Sequence, residues 1–412
     1  MYRLLADMRI VEGAAFVAAP MCALHLAQLG AEVIRIDAIG GGPDFLRWPR
    51  APGGGASLYW EGLNKGKKSI ALNLSSPEGR ELAVALATAP GEGAGIFVTN
   101  YPVNGFLAHE KLAARRADMI TVRVMGWADG GTAVDYTVNA ALGIPVMTGP
   151  ESLGDEPVNH VLPAWDIATG NYAAFALLAA ERRRSRTGLG TEVRVPLGDV
   201  AMATIANLGQ VAEVTVSGED RPRMGNNLFG AFGRDFETRD GNRVMIVALT
   251  SRHWSDLVRT LDLADAVGSL EAERGVDLSS DEGLRFEHRD RLNPIVAEAV
   301  GKRTLGELEA AFAGSGVCWG PYRSLAGAMG EGGALNGANP LFHTLSHPSG
   351  HSYLTPGAAG TISDLTREIP GVAPRLGEHT DEVLASVLGL SDSQIGALHD
   401  ASVVASASKA PG

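Results

Sequence analysis

Asp166, a lysine triplet and three evenly spaced histidines are the residues of this chain whose type and placement could do chemistry. Asp166 stands in NHVLPAWDIATGNY, after Pro163 and Trp165 and at the head of a long apolar stretch. A carboxylate there can cap the first turn of a helix. It can equally attack a carbonyl, form an anhydride, and divide one acyl transfer into two easier steps. The residue pattern leaves both readings open. Lys65, Lys67 and Lys68 in GLNKGKKS gather positive charge on an acidic chain. The segment is not a P-loop, because Gly62 and Gly66 are too close and Lys68 stands where Ser or Thr should follow the lysine. Contact with the phosphates of a ligand and a solvated lysine cluster both fit it. His343, His347 and His351 recur at the spacing that puts two metal ligands on one helix face. Pro348 and Gly350 break any such helix and no Cys or carboxylate accompanies the set, so a structured loop without metal is expected.

These residues need elements to hold them. MRIVE reads as a strand, 20–29 as a helix stopped by Gly30, and EVIRID as a second strand. Apolar runs of strand length alternating with helical segments indicate βαβ units and a parallel sheet. Asp37 ends the second strand about where a ribose-binding acid would stand. The first turn, EGAAFVAAP, nevertheless lacks the G-x-G-x-x-G of a nicotinamide dinucleotide site. SIALNL is followed by Ser76-Pro77-Glu78, an N-cap with proline in the first turn. Strands GIFVTN and MITVRVM, a Gly-rich loop at 126–131, a helix over 166–184, strand TEVRVPL and one helix over 197–214 complete the series.

A polar, breaker-rich stretch, SGEDRPRMG, then changes the character of the chain. FETRDGNRVMIVAL reads as a hairpin turning at Asp240-Gly241, followed by short helices around Trp254, Asn293 and Leu305. Residues 330–374 show little periodicity and read as a long connection, APRLGEHTDEVLASVLGL restores a helix, and ASVVASASKAPG reads as a frayed tail. The expected organisation is an α/β chain: a Rossmann-like large domain over 1–216, a small α+β domain over 226–325, and a linker with C-terminal helices over 326–412.

Composition narrows the function. The 412 residues carry a formal net charge of -12, so polyanions are repelled and nucleic acid is a poor partner. The longest clean apolar run, AAFALLAA, falls short of the roughly 20 residues of a membrane span. Asp7, Arg9 and Glu12 interrupt any signal-like segment, so no membrane and a cytoplasmic location are expected. Cys22 and Cys318 form no CxxC, which speaks against a disulfide framework or a thiolate zinc site.

Taken in order, several segments resemble the class III CoA-transferases, the formyl-CoA transferase and α-methylacyl-CoA racemase type. They are RIVEGAAFVAAPMCALHLAQLGAEVIRID, NKGKKSIALNL with PEGREL, TNYP, the aspartate of AWDIATG, TGLGTEVRVPLGDV and APRLGEHTDEVL. The resemblance implies a Rossmann-like large domain plus a small domain, with two chains interlocked as a homodimer. It implies coenzyme A as part of the substrate, no permanently bound cofactor and no metal. It places the catalytic aspartate at Asp166 and lines the CoA site with Val17, Arg35, Lys65, Leu72, Asn73 and Asn100. Arg47, His160 and Arg234 are the candidates for substrate carboxylates, since a retained diacid calls for cationic donors. Val134 stands where the family's racemases carry a proton-transferring His, so racemisation is not expected. VDYTVN, MTGP, VNHVLPAWDI, GAFGRDFETRDG and NRVMIVALT carry a closer likeness to members that move CoA between the two carboxylates of one unsaturated diacid. GAFGRDF would then supply Phe232 and Phe236 as apolar cover and Arg234 as carboxylate partner, or else Phe232 and Phe236 are core residues of the hairpin. Backbone N-H groups of the Gly-rich loops are the candidates for holding oxyanions. An intermolecular transferase, and a CoA-binding protein without catalysis, are the alternatives.

Overall fold

The computed structural model describes residues 1–407. Its strands are β1 (Arg9–Gly13), β2 (Glu32–Ala38), β3 (Lys68–Leu72), β4 (Ile96–Thr99), β5 (Ile120–Met125), β6 (Thr191–Pro196), β7 (Phe232–Glu237), β8 (Arg243–Ala248), β9 (Cys318–Pro321), β10 (Phe342–Ser346), β11 (Ser352–Pro356) and β12 (Val404–Ala405). The helices in the first half are α1 (Ala18–Gln28), α2 (Leu58–Asn64), α3 (Pro77–Ala87), α4 (His109–Arg115), α5 (Asp135–Ala141), α6 (Ile144–Met147), α7 (Ala164–Thr187), α8 (Leu197–Asn207) and α9 (Gln210–Ser217). They continue as α10 (Ser251–Thr260), α11 (Ala264–Arg274), α12 (Glu282–Glu287), α13 (Arg289–Gly301), α14 (Leu305–Phe312), α15 (Leu325–Met329), α16 (Thr380–Leu388) and α17 (Asp392–Asp400). Among the described residues no helix is long and apolar enough to cross a membrane.

The chain forms two compact units, Met1–Leu142 with His160–Glu213 and Asn336–Gly412, and Gly143–Asn159 with Val214–Leu335. In the first unit seven strands run in the order β12-β3-β2-β1-β4-β5-β6, parallel throughout except at β12. Strands β1 to β5 are almost wholly buried, as continuous apolar runs must be when helices cover both faces. Successive side chains point to opposite faces. Ile10, Val33, Ile96 and Val98 therefore pack with α1 and α7 on one side. Val11, Ile34, Ile70 and Phe97 pack with α3, α16 and α17 on the other. The Ser76 hydroxyl caps α3 through the Gly79 N-H, and Pro77 occupies the first turn, as the sequence implies.

The second unit is built on the antiparallel sheet β7-β8-β9. Phe232, Phe236, Val244 and Ile246 of that sheet pack with Trp254, Leu257, Leu292 and Val296 from its helices. The β7-β8 connection turns at Asp240-Gly241, where Gly241 has φ of +77°.

Four expectations change. Residues 197–214 form two helices, α8 and α9, parted at Gly209, whose φ of +81° no helix interior accepts. The connection over 330–374 contains the β10-β11 hairpin, whose residues are too polar and too few to announce themselves by period. The segment ASVVAS is not frayed: Val404 and Ala405 pair with Leu72 and Ala71, and Val403 and Val404 are buried. Residues 408–412 of that tail lie outside the described residues. Finally, Gly143–Asn159 packs with the second unit, where Gly225 N-H donates to the Gly149 carbonyl at 3.0 Å.

Candidate active site

Strand order reverses between β1 and β4, the place where open parallel sheets bind ligands beyond their carboxyl ends. The turn from β1 to α1 crosses this point. Asn100, just past β4, grips it twice: its Nδ2 donates to the Ala15 carbonyl at 2.9 Å, and its Oδ1 accepts from Ala15 N-H at 3.2 Å. Phe16 follows with φ of +70°, a conformation that costs a non-glycine residue about 1–3 kcal/mol. Its N-H donates to Asp44 Oδ2 at 3.0 Å, which holds it there. Val17 stands at the N-cap of α1 and is buried.

Asp44 is itself held by Arg35. The Arg35 guanidinium lies in the core, donating to Asp37 at 2.7 Å, Glu12 at 2.9 Å, Asn64 at 3.2 Å and Asp44 at 3.3 Å. Burial alone would weaken its hold on a proton, but Asp37, Glu12 and Asp44 more than offset this and raise it. Arg35 therefore spends its guanidinium on the protein, and Asp37 serves Arg35 and the Ser69 hydroxyl.

The lysines are neither a solvated cluster nor a displayed phosphate site. Lys67 is buried with its ammonium on Glu12 at 2.7 Å, the Pro20 carbonyl at 2.9 Å and Asn64 at 3.0 Å. Lys68 bridges Glu32 and Glu382. Lys65, the C-cap of α2, is buried and donates to the Gly62 carbonyl, and burial followed by the nearby Lys67 charge lowers it to about 8. Leu72 is a core residue at the end of β3, and Asn73 beyond it accepts the Ser75 N-H at 3.1 Å.

Asp166 occupies the first turn of α7, half-buried. It does not cap its helix. Pro163 is at the N-cap position without a side-chain bond. The cap comes from another helix: Asp135 Oδ2 accepts the N-H groups of Trp165 at 2.7 Å and Asp166 at 3.1 Å. Asp135 is buried, and its Oδ1 takes the His160 Nε2 at 2.6 Å. Trp165 is fixed in turn by Nε1 on Asn139 Oδ1 at 3.1 Å. No hydrogen bond or ion pair engages the Asp166 carboxylate among the described residues. Burial, then the Asp135 charge, pushes the Asp166 carboxyl up to about 6, with Arg47 pulling the other way.

Arg47 is exposed, its guanidinium 5.6 Å from the Phe16 ring centre and 5.4 Å from that of Tyr59. It makes no ion pair among the described residues. The Tyr59 hydroxyl is buried beside Arg47, and burial is the main cause that raises it to about 12, with Arg47 pulling the other way. Asp166, Arg47, Tyr59, Asp135 and His160 thus gather at one place: a carboxylate without a partner, with a cation and a buried hydroxyl beside it. That set can perform nucleophilic acyl transfer, since the carboxylate stays largely ionised at neutral pH while its raised proton affinity favours attack.

Arg234 belongs to the second unit, exposed on β7 and 4.0 Å from Asp235. Phe232 and Phe236 are core residues of that unit and provide no apolar cover; strand alternation turns both inward. The N-H groups of Trp127, Gly130 and Gly131 bond within their own loop, so they are not oxyanion donors. His347 is buried on the β10-β11 turn, bonded to Thr355 Oγ1 at 2.8 Å and stacked on Tyr353, a structural role. Asp135, Asp44 and Tyr59 escaped sequence reading. Asp135 opening a helix was a visible signal, but nothing local says which helix it serves.

The chain matches the CoA-transferase family III over residues 5–380. It is 49% identical over 407 residues, 99% of each chain, to 2-methylfumaryl-CoA isomerase of Chloroflexus aurantiacus. It is 28% identical to human succinyl-CoA:glutarate CoA-transferase, over 97% of this chain and 90% of that one. A solved CAIB/BAIF family protein from Brucella suis shares the fold, with a TM-score of 0.72 at 24% identity, covering 94% of this chain and 100% of that one. The chain, an α/β protein with a free aspartate beside the switch point of a parallel sheet, belongs to the CoA-transferase family III.

Proposed function

We propose that this enzyme moves CoA within one molecule, converting 2-methylfumaryl-CoA to 3-methylfumaryl-CoA. The observation that carries the chemistry is the unbonded Asp166 carboxylate at the head of α7; the acyl group rests on the likeness to the Chloroflexus aurantiacus isomerase. Asp166 attacks the thioester carbonyl and the C-S bond breaks, leaving a mixed anhydride and CoA thiolate. The thiolate attacks the aspartyl carbonyl, releasing mesaconate and forming an aspartyl-CoA thioester. The other mesaconate carboxylate attacks that thioester, again expelling thiolate. The thiolate finally takes the mesaconyl carbonyl, and Asp166 returns as carboxylate. One thioester replaces another, so the steps balance without ATP, metal or a bound cofactor.

Arg47 holds the free carboxylate of the diacid, and the Tyr59 hydroxyl beside it donates to an oxygen that gains charge. His160 lies beside this place. Val17, Asn100, Leu72 and Asn73 follow the carboxyl ends of the strands where CoA would lie, with Arg35 and Lys65 supporting that surface from within. The working form is a homodimer of interlocked chains in the cytoplasm, by family resemblance.

The test is conversion of unlabelled mesaconyl-CoA in excess carbon-labelled mesaconate. Product without label supports transfer within one molecule. Label in the product makes the enzyme an intermolecular transferase. Hydroxylamine should trap a hydroxamate at Asp166 in either case, and its absence would remove the covalent mechanism.

A further inference from the structure

The first turn of α7 holds two carboxylates of different fate. Its free N-H groups attract anions, and an aspartate within that turn ordinarily folds back onto them. Here Asp135, reaching in from α5, has already taken the N-H groups of Trp165 and Asp166. We infer that Asp135 is a positioning residue: it takes over the capping that Asp166 would otherwise perform, and so leaves the Asp166 carboxylate unbonded for attack.

His160 completes the arrangement. A buried carboxylate with two backbone donors on one oxygen still needs a partner for the other, and His160 Nε2 provides it at 2.6 Å. Because a carboxylate only accepts, that nitrogen carries the proton. The rings of Tyr136 and Trp165, at 5.6 and 6.4 Å between centres, flank the imidazole. Three donors thus converge on the Asp135 carboxylate, which stands directly behind the nucleophile. The charged or titratable groups facing Asp166 are Asp135 from α5, Arg47 from the loop ahead of α2, and Tyr59 from α2. Of these only Asp135 makes the Asp166 carboxylate a stronger base, which is also a stronger nucleophile.

The inference rests on Asp166 as nucleophile, yet it can be tested without any substrate. Carboxyl-carbon NMR titration of Asp166, assigned by its loss in Asp166→Asn, is compared between the native chain and Asp135→Asn. The amide keeps the shape and the acceptor oxygen but loses the charge. The Asp166 midpoint should fall by about one pH unit, a tenfold change in its ionised fraction on the acid side. The pH-rate profile of acyl transfer should show its acid limb displaced equally, with a lower plateau. His160→Gln, which keeps a donor at Asp135, should leave the midpoint near native and rescue transfer relative to His160→Ala. Asp135→Ala, which removes the capping oxygen as well, should let Asp166 fold back onto the freed N-H groups and lower its midpoint at least as far; an unchanged midpoint there overturns the inference. If that variant does not fold, a native-like midpoint in His160→Ala overturns it equally. If the midpoint moves but no hydroxamate ever forms, the positioning role stands and the proposed function fails.

Discussion

Asp166 costs the fold something that the proposed chemistry requires. Its carboxyl, raised to about 6, binds a proton in the folded chain more tightly than an unfolded aspartate does near 3.9. Between those values the folded state holds more protons, so stability falls as pH rises through this window, and the full penalty is present above it. Asp166→Asn removes the penalty and should raise stability at pH 7 by about 1–3 kcal/mol, with no gain at pH 4. Urea unfolding at the two pH values checks this. The same variant should lose transfer entirely while remaining folded. In the native enzyme kcat/KM should fall tenfold per unit below about pH 6 as the nucleophile is protonated; a flat profile down to pH 5 would contradict the assignment.

The β1-α1 turn and helix α7 are the elements that bring the site together, and each has one sensitive point. Arg35→Leu would leave Glu12, Asp37 and Asp44 with Lys67 alone. Breaking a buried network by removing one partner costs about 3–5 kcal/mol, which equilibrium unfolding would register. A variant that unfolds normally but has a raised KM would instead make Arg35 a ligand residue. Gly170 lies where α7 meets α1: a Cβ there would stand 2.8 Å from the Ala18 carbonyl oxygen and 3.0 Å from Met21 Cβ. Backbone cannot yield cheaply, so Gly170→Val should cost about 1–3 kcal/mol and displace Asp166 from Asp135. Reduced kcat together with an earlier thermal transition would show both effects.

At the scale of the whole molecule, the chain returns to its first unit to finish the sheet. Strand β12 covers the edge of β3, and α16 and α17 cover the same side of the core. Glu61 fastens the returning β10-β11 hairpin, accepting from the Ser349 N-H at 2.7 Å, the Ser349 hydroxyl at 3.0 Å and the Tyr353 hydroxyl at 2.8 Å. Ending the chain at Ala401 would remove Val403 and Val404 from the core and bare the β3 edge. Unpaired edges invite pairing with other chains, so the shortened protein should aggregate at concentrations where the full chain does not, as light scattering would show. Equal solubility and stability would mean that the C-terminal strand is dispensable.

Local order was legible from the sequence because it depends on near neighbours. Apolar runs of strand length between helical segments determined the parallel sheet, the Ser76 cap determined the start of α3, and the AWDIATG segment with its companions pointed to the family. The polar hairpin of the linker and the short β12 were not legible, because their pairing supplies the stability that their own residues lack. The lysine triplet misled for a related reason: spacing shows charge but not its partner, and Glu12 lies 55 residues from Lys67. Whether Asp166 caps its helix or is free was undecidable from spacing. The answer depends on Asp135, 31 residues away and reached only when α5 packs against α7. A carboxylate's fate depends on which donors are already taken, and only the tertiary structure decides that.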